Sequence, residues 1–181
     1  LGVVLNPAIR ATNSLEEICA ECSLIFPVVP SESFRKTIQS MSPLLKPSHI
    51  LIHGTKGIDV TGFSMDELFE KDISRKNIHT MSEVIREESS VLRVGCLAGP
   101  NLYKEILEGQ PTACVIASEF DEVIHAGQEV MASKRFFVFG SYDMIGAEMA
   151  GALKNIIALG AGILAGKGLG KNIQAMLITR G

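Results

Sequence analysis

Apolar residues in this chain fall into short dense runs separated by mixed segments with helical spacing. Residues 22–29 (CSLIFPVV), 49–54 (HILIHG), 91–99 (VLRVGCLAG), 112–118 (TACVIAS) and 136–141 (FFVFGS) are apolar nearly throughout, the pattern of strands buried on both faces. Between them, Ser31 stands where a cap would and Phe34, Ile38 and Met41 follow at helical spacing. Thr80 followed by Glu83 is a capping-box signal for the helix TMSEVIREES, NLYKEILEG reads as a short helix, and Ser118 with Asp121 opens DEVIHAGQEVMA. Strands alternating with helices predict an α/β domain with a largely parallel sheet, covered on both faces.

Two stretches depart from that alternation. Residues 63–79 are charged and weakly periodic, an excursion from the core with a small surface helix expected around Met65 to Phe69. After Asp143 no further strand pattern occurs, and a long apolar helix begins near Met144. The expected organisation is therefore an α/β domain over residues 1–142 and the start of an all-α second domain over residues 143–181. The chain starts at Leu1 rather than Met and stops at ITRG inside a running helical pattern, so a piece of a longer polypeptide is expected.

Composition narrows the function. Of 181 residues, 46% are hydrophobic and 20% charged, and 17 Lys and Arg against 20 Asp and Glu give a net charge of −3. There is no basic stripe or aromatic platform, which argues against a nucleic-acid partner. The apolar tract from Met144 to Ala165 is long enough to span a bilayer but carries Glu148 and Lys154, so no membrane insertion is expected. Cys22, Cys96 and Cys114 lie in apolar runs and read as buried thiols of a reducing, cytoplasmic protein; the CAEC pair Cys19 and Cys22 has no metal partners nearby. No metal site is expected, since His49, His53 and His125 lack an acidic partner at motif spacing and His79 sits by the excursion.

In such a sheet ligands gather beyond the carboxyl ends of strands, where VVPSESF (28–34), HGTKGID (53–59) and LAGPNLYKE (97–105) lie. Lys56 in the second is either a solvated loop lysine or an amine reaching an anionic group. Gly99, Pro100 and Asn101 in the third either form a helix-entry turn or present N–H groups to a ligand. Lys154 stands among small and apolar residues, GALKN. A buried lysine there is a candidate acid or base, and the alternative is a side chain snorkelling from a helix packed on one side. Glu148 lies six residues earlier, about 240° around the axis, so the two are not simple ion-pair neighbours.

VVPSESF, HGTKG, AGPNLYKEILEGQPTACVIAS, SYDMIGAEMAGALKNIIALGAG and GLGKNIQAMLITRG together resemble the bacterial-type NAD(P)-dependent glycerol-3-phosphate dehydrogenase family, in the family's order over most of the chain. The resemblance implies that residues 1–142 are the later part of a Rossmann-like NAD(P)-binding domain and 143–181 the start of the helical substrate-binding domain, with hydride transfer between NAD or NADP and a small phosphorylated substrate interconverting sn-glycerol 3-phosphate and dihydroxyacetone phosphate. By resemblance Lys154 is the catalytic lysine, Lys56, Gly99, Asn101 and Asn155 contact substrate, and Phe34, Lys56 and Tyr103 lie near the cofactor. Self-association is expected, with a homodimer the simplest form.

Several positions differ from the family pattern. Ala98 stands where serine is common, Leu102 and Tyr103 where Phe and Ala are common, and Ala165 and Lys171 where acidic residues are common; the 62–79 excursion is long. No G-x-G-x-x-G follows a first strand, so the pyrophosphate loop and the reader of the adenosine ribose are missing, and these residues alone are expected to be inactive. A related two-domain dehydrogenase acting on another substrate, and a noncatalytic binding protein of the same fold, are the alternatives.

Overall fold

The computed structural model describes residues 4, 6–63, 67, 72 and 74–180. Its main sheet has five strands in the order β1-β2-β5-β6-β7, with β1 Leu24–Ile25, β2 Ile50–His53, β5 Arg93–Ala98, β6 Thr112–Ala117 and β7 Phe136–Ser141. Three of the four pairings are parallel, and β5 with β6 is antiparallel. The sheet is thus largely parallel, as expected, with one antiparallel pairing. The reversal has a local cause: only α4 (Tyr103–Leu107) separates β5 from β6, so the chain has no full crossover to return it to the same end of the sheet. A second sheet pairs β3 (Asp59–Val60) with β4 (Ile78–His79) antiparallel, closing the base of the excursion. The helix expected around Met65 to Phe69 lies outside the described residues.

Alternation along each strand divides the core. One face, carrying Leu51 and Val94, packs against α2 (Ser31–Met41) and α3 (Met81–Glu88) through Phe34, Ile38, Val84 and Ile85, all fully buried. The opposite face carries Ile52 and Ile116 against Val123 of α5 (Asp121–Met131). On the first face, further along the sheet, Cys96 and Ala117 meet Met144 at the start of α6 (Met144–Gly166), which is followed by α7 (Lys171–Arg180). By length and composition the 23 residues of α6 would suffice to cross a membrane.

Local chemistry fixes the helix starts. The Thr80 hydroxyl accepts from Glu83 N while the Glu83 carboxylate accepts from Thr80 N, the reciprocal capping box read from the sequence. Ser31 does not cap α2: it is the first helical residue, after Pro30. Nor does Ser118 cap α5; Phe120 occupies that position, and the Ser118 hydroxyl donates to Val94 O across the sheet. Residues 15–21 form a helix, α1 (Leu15–Glu21), that the apolar pattern did not reveal, with the Ser14 hydroxyl accepting from Glu17 N at 3.1 Å. Cys22 caps the end of α1 before β1 starts at Leu24 and is exposed, against the expectation of a buried thiol.

Arg35 of α2 fastens the small sheet to the body. Its guanidinium reaches Asp59 of β3 at 2.8 Å and Glu87 at 3.0 Å, and pairs with Glu88 at the end of α3.

Two outcomes follow from this packing. Thr80→Ala should lower stability by about 1 kcal/mol, read as a shift of the urea midpoint at unchanged m-value. Iodoacetamide should label Cys22 rapidly in the folded protein and spare Cys19, Cys96 and Cys114. Those three are buried, and burial raises each thiol pKa, that of Cys96 to about 12; peptide mass mapping reads the pattern.

Candidate functional site

A cleft of about 520 Å³ opens between the first turns of α6 and the strand ends that face it. Its size suits a small ligand or part of a larger one. Gly146, Ala147, Ala150 and Gly151 form the helix wall, and this run of small side chains leaves the space open. The opposite wall is Ala98, Gly99 and Pro100 after β5, with Lys56 from the loop after β2. Lys154 of α6 and Lys56 line the same cleft although they come from distant parts of the chain.

Lys56 is held by its loop and by its neighbours. The Thr55 hydroxyl donates to Val29 O at 2.7 Å and accepts from Val29 N at 3.3 Å, which ties the loop to the chain leaving β1. Gly57 has φ +147°, and a Cβ there would stand 2.9 Å from Ser31 Cβ, so glycine is needed both for the turn and for the close approach to α2. The Lys56 ammonium donates to Gly99 O at 2.9 Å. Partial burial lowers the Lys56 pKa, and the nearby Lys154 charge lowers it further. Two amines in a small-walled cleft attract an anion, which would relieve that repulsion. Gly99 itself has φ +143°, and a Cβ would come within 3.0 Å of Cys114 Cα. The carbonyl that receives Lys56 therefore depends on a residue without a side chain.

Lys154 is exposed at the cleft wall rather than buried. The reason is rotational: Glu148 occupies the sheet-facing side of α6, and Lys154 lies about 240° around the axis from it. Of the other residues singled out from sequence, Gly99 lines the cleft, whereas Asn155 is exposed beside it. Asn101 adjoins Pro100 of the cleft wall, and its Oδ1 is buried without a hydrogen-bond partner among the described residues. Tyr103 is 53% exposed at the start of α4. Phe34 does not reach the cleft; it is a core residue under β2, edge-on to the His53 ring at 5.8 Å.

The structure also assembles a group that sequence spacing did not signal. Glu148 is 8% exposed, and its carboxylate accepts from Ser82 N at 2.8 Å and from the Ser82 hydroxyl at 2.7 Å. His53 Nε2 stands 2.9 Å from the same carboxylate, with the ring buried. His53 thus has an acidic neighbour after all, brought from α6 by tertiary packing. Burial works to raise the Glu148 pKa, but the His53 contact and the two Ser82 donors outweigh it and hold the carboxyl below its ordinary value. The Glu148 charge in turn adds to burial in keeping Cys96 a thiol. Among the described residues no cluster of three or more His, Cys, Asp or Glu is arranged to hold a metal ion.

A depressed carboxyl pKa adds stability above the ordinary carboxyl range, and that contribution is lost as pH falls through it to the lower folded value. Wild type should therefore lose more stability than Glu148→Gln between pH 7 and pH 4. Urea midpoints should show the gap between them narrowing on acidification; a gap independent of pH would contradict the assignment.

Comparison with known proteins adds a family to this geometry. Residues 1–124 match the model of the NAD-dependent glycerol-3-phosphate dehydrogenase N-terminus, and residues 143–181 match the model of its C-terminus. The glycerol-3-phosphate dehydrogenase [NAD(P)+] of Teredinibacter turnerae is 38% identical over 179 residues, spanning 99% of this chain and 48% of that protein. The protein of the same name from Acinetobacter baylyi is 39% identical over 97% of this chain and 45% of its own length. The chain therefore spans about half the length of the curated relatives it matches. The crystal structure of glycerol-3-phosphate dehydrogenase from Coxiella burnetii aligns with TM-score 0.77 at 30% identity, covering 97% of this chain and 49% of that one. The Plasmodium falciparum glycerol-3-phosphate dehydrogenase aligns with TM-score 0.76 at 19% identity over 91% of this chain and 43% of that one, and at that identity shows the fold alone.

Proposed function

Because the chain belongs to the NAD-dependent glycerol-3-phosphate dehydrogenase family, we propose that the protein carrying it interconverts sn-glycerol 3-phosphate and dihydroxyacetone phosphate with NAD or NADP. The observation that carries this reading is the meeting of Lys56 and Lys154 in one small-walled cleft. A phosphorylated three-carbon substrate is an anion of suitable size for it.

The residues here fit the reactive end of a dinucleotide. The cleft is open and small-walled beside Lys56, and Asn101 Oδ1, next to the wall, is a buried acceptor without a partner among the described residues. They do not include a fit for the pyrophosphate, since no G-x-G-x-x-G follows a strand. When bound, the nicotinamide supplies or accepts the hydride at carbon 2. Lys154 then takes the proton of the carbon-2 hydroxyl in the oxidative direction and returns it to the carbonyl oxygen in reduction. Lys56, with its pKa lowered by burial and by Lys154, binds the anionic substrate, which restores a favourable environment for its charge. Gly99 brings backbone close to the same space. Asn155 and Asn101 keep the roles toward substrate, and Tyr103 the role toward cofactor, that family resemblance suggests, whereas Phe34, fully buried in the core, is left a packing role.

The same reading divides the chain at residues 142 and 143, with the nucleotide-binding part before and the substrate-binding helices after. The free cysteines fit a reducing compartment, the cytoplasm. A homodimer is the proposed assembly.

Kinetics of the protein containing these residues test the reading. Lys154→Ala should lower kcat for dihydroxyacetone phosphate by about 10²- to 10⁴-fold with little change in dinucleotide KM. Lys56→Ala should act chiefly by raising the KM for dihydroxyacetone phosphate. Wild-type protein that oxidises neither NADH nor NADPH with this substrate would refute the function.

A further inference from the structure

Between the two lysines of the cleft lies a contact that neither of them makes. Glu148 and Lys154 share α6, and His53 and Lys56 share the end of β2 and the loop that follows. The Glu148 carboxylate meets His53 Nε2 at 2.9 Å, and through Ser82 it also holds the first turn of α3. Gly151, one turn beyond Glu148, comes close to the Lys56 side chain: a Cβ there would lie 3.9 Å from Lys56 Cγ. The Lys56 loop is fixed on its other side by Thr55 to Val29 and at its tip by the ammonium to Gly99 O.

The geometry points to Glu148 and His53 as positioning residues that set the height and rotation of α6 on the sheet, and so the placement of Lys154 relative to Lys56. This rests on the functional reading above. The physical requirement is directional. Ser82 offers its backbone N–H and its hydroxyl to the two carboxylate oxygens at 2.8 and 2.7 Å, which allows α6 little freedom to slide or turn there. Apolar packing alone, as at Met144 on Cys96 and Ala117, would hold the helix down with less control over its rotation. A displacement of about 1 Å at a reacting group is enough to cost about 10²-fold in rate. Neither residue touches the reacting atoms in this assignment; both act through Lys154.

Glu148→Gln in the protein containing these residues is the first test, since glutamine keeps the shape but turns an amide N–H toward a donor. The expected result is a kcat about 10- to 100-fold lower, with dinucleotide KM within about twofold of wild type. His53→Gln should shift kcat in the same direction. The decisive measurement is a double-mutant cycle: on a Lys154→Ala background, Glu148→Gln should cost less than about twofold more. A residue acting only through Lys154 has nothing left to position there, whereas a general loss of structure would multiply in full. If Glu148→Gln does not fold, Ser82→Ala removes only the hydroxyl donor and should show the same non-additivity with a smaller loss. A kcat within about twofold of wild type in the folded variant, or a fully multiplicative cycle, overturns the inference while leaving the function standing. Absence of turnover in wild type overturns the function and this inference with it.

Discussion

A carboxylate taken out of water is unfavourable by several kcal/mol unless hydrogen-bond donors and compensating charge replace its hydration. Glu148 meets that demand with partners from two other elements, Ser82 at the start of α3 and His53 at the end of β2. Its net depressed pKa shows that they do more than offset burial. Because the acid comes from α6, its satisfaction requires the helix that follows the sheet to be seated in one way. The capping box at Thr80 and Glu83 completes the arrangement, since it sets the first turn of α3 in which Ser82 presents both of its donors.

The sheet supplies the platform for this anchor. Leu51 and His53 share one face with Val94 and Cys96, so the strand that feeds the apolar core through Leu51 delivers His53 two residues later to α6. On the other face α5 lies unusually close, with small residues where bulk would collide: a Cβ on Gly127 would come within 2.3 Å of Ile116 Cδ1, and one on Gly140 within 2.7 Å of Ile124 Cγ2. The antiparallel turn-back from β5 to β6 occurs right beside the cleft. It places Gly99 and Pro100 at the cleft wall and keeps the short α4 off the core.

Much of this was legible in the sequence because it depends on local pattern. The five strands, the capping box at Thr80 and the change of character near Asp143 follow from runs and spacings a few residues long. The strand-end rule brought the Lys56 and Gly99 loops to one edge of the sheet, and family resemblance added Lys154, whose place no local spacing supplied. What stayed hidden is tertiary. His53 seemed to lack an acidic partner because its neighbour lies on α6, far along the chain. Composition left Lys154 open between burial and a side chain reaching out of a helix packed on one side, and the structure, with Glu148 on the sheet-facing side, has it exposed. Helix α1 escaped an apolar search, though Ser14 and Glu17 carried the spacing of a cap. The β5–β6 reversal was visible only as a short connection, whose brevity argued against a full crossover.

At 1.5 Å per residue, the 23 residues of α6 extend about 35 Å, yet its buried residues, Met144 and Glu148, lie in the first turns. The helix is therefore a lever clamped near one end. Tilting it by about 5° about Glu148 would carry Gly166 through more than about 2 Å but Lys154, only about 9 Å along the axis, through less than about 1 Å. Chemistry placed at that short radius moves only about a third as far as the end of the helix, where α6 packs against α7 near Gly160 and Leu177.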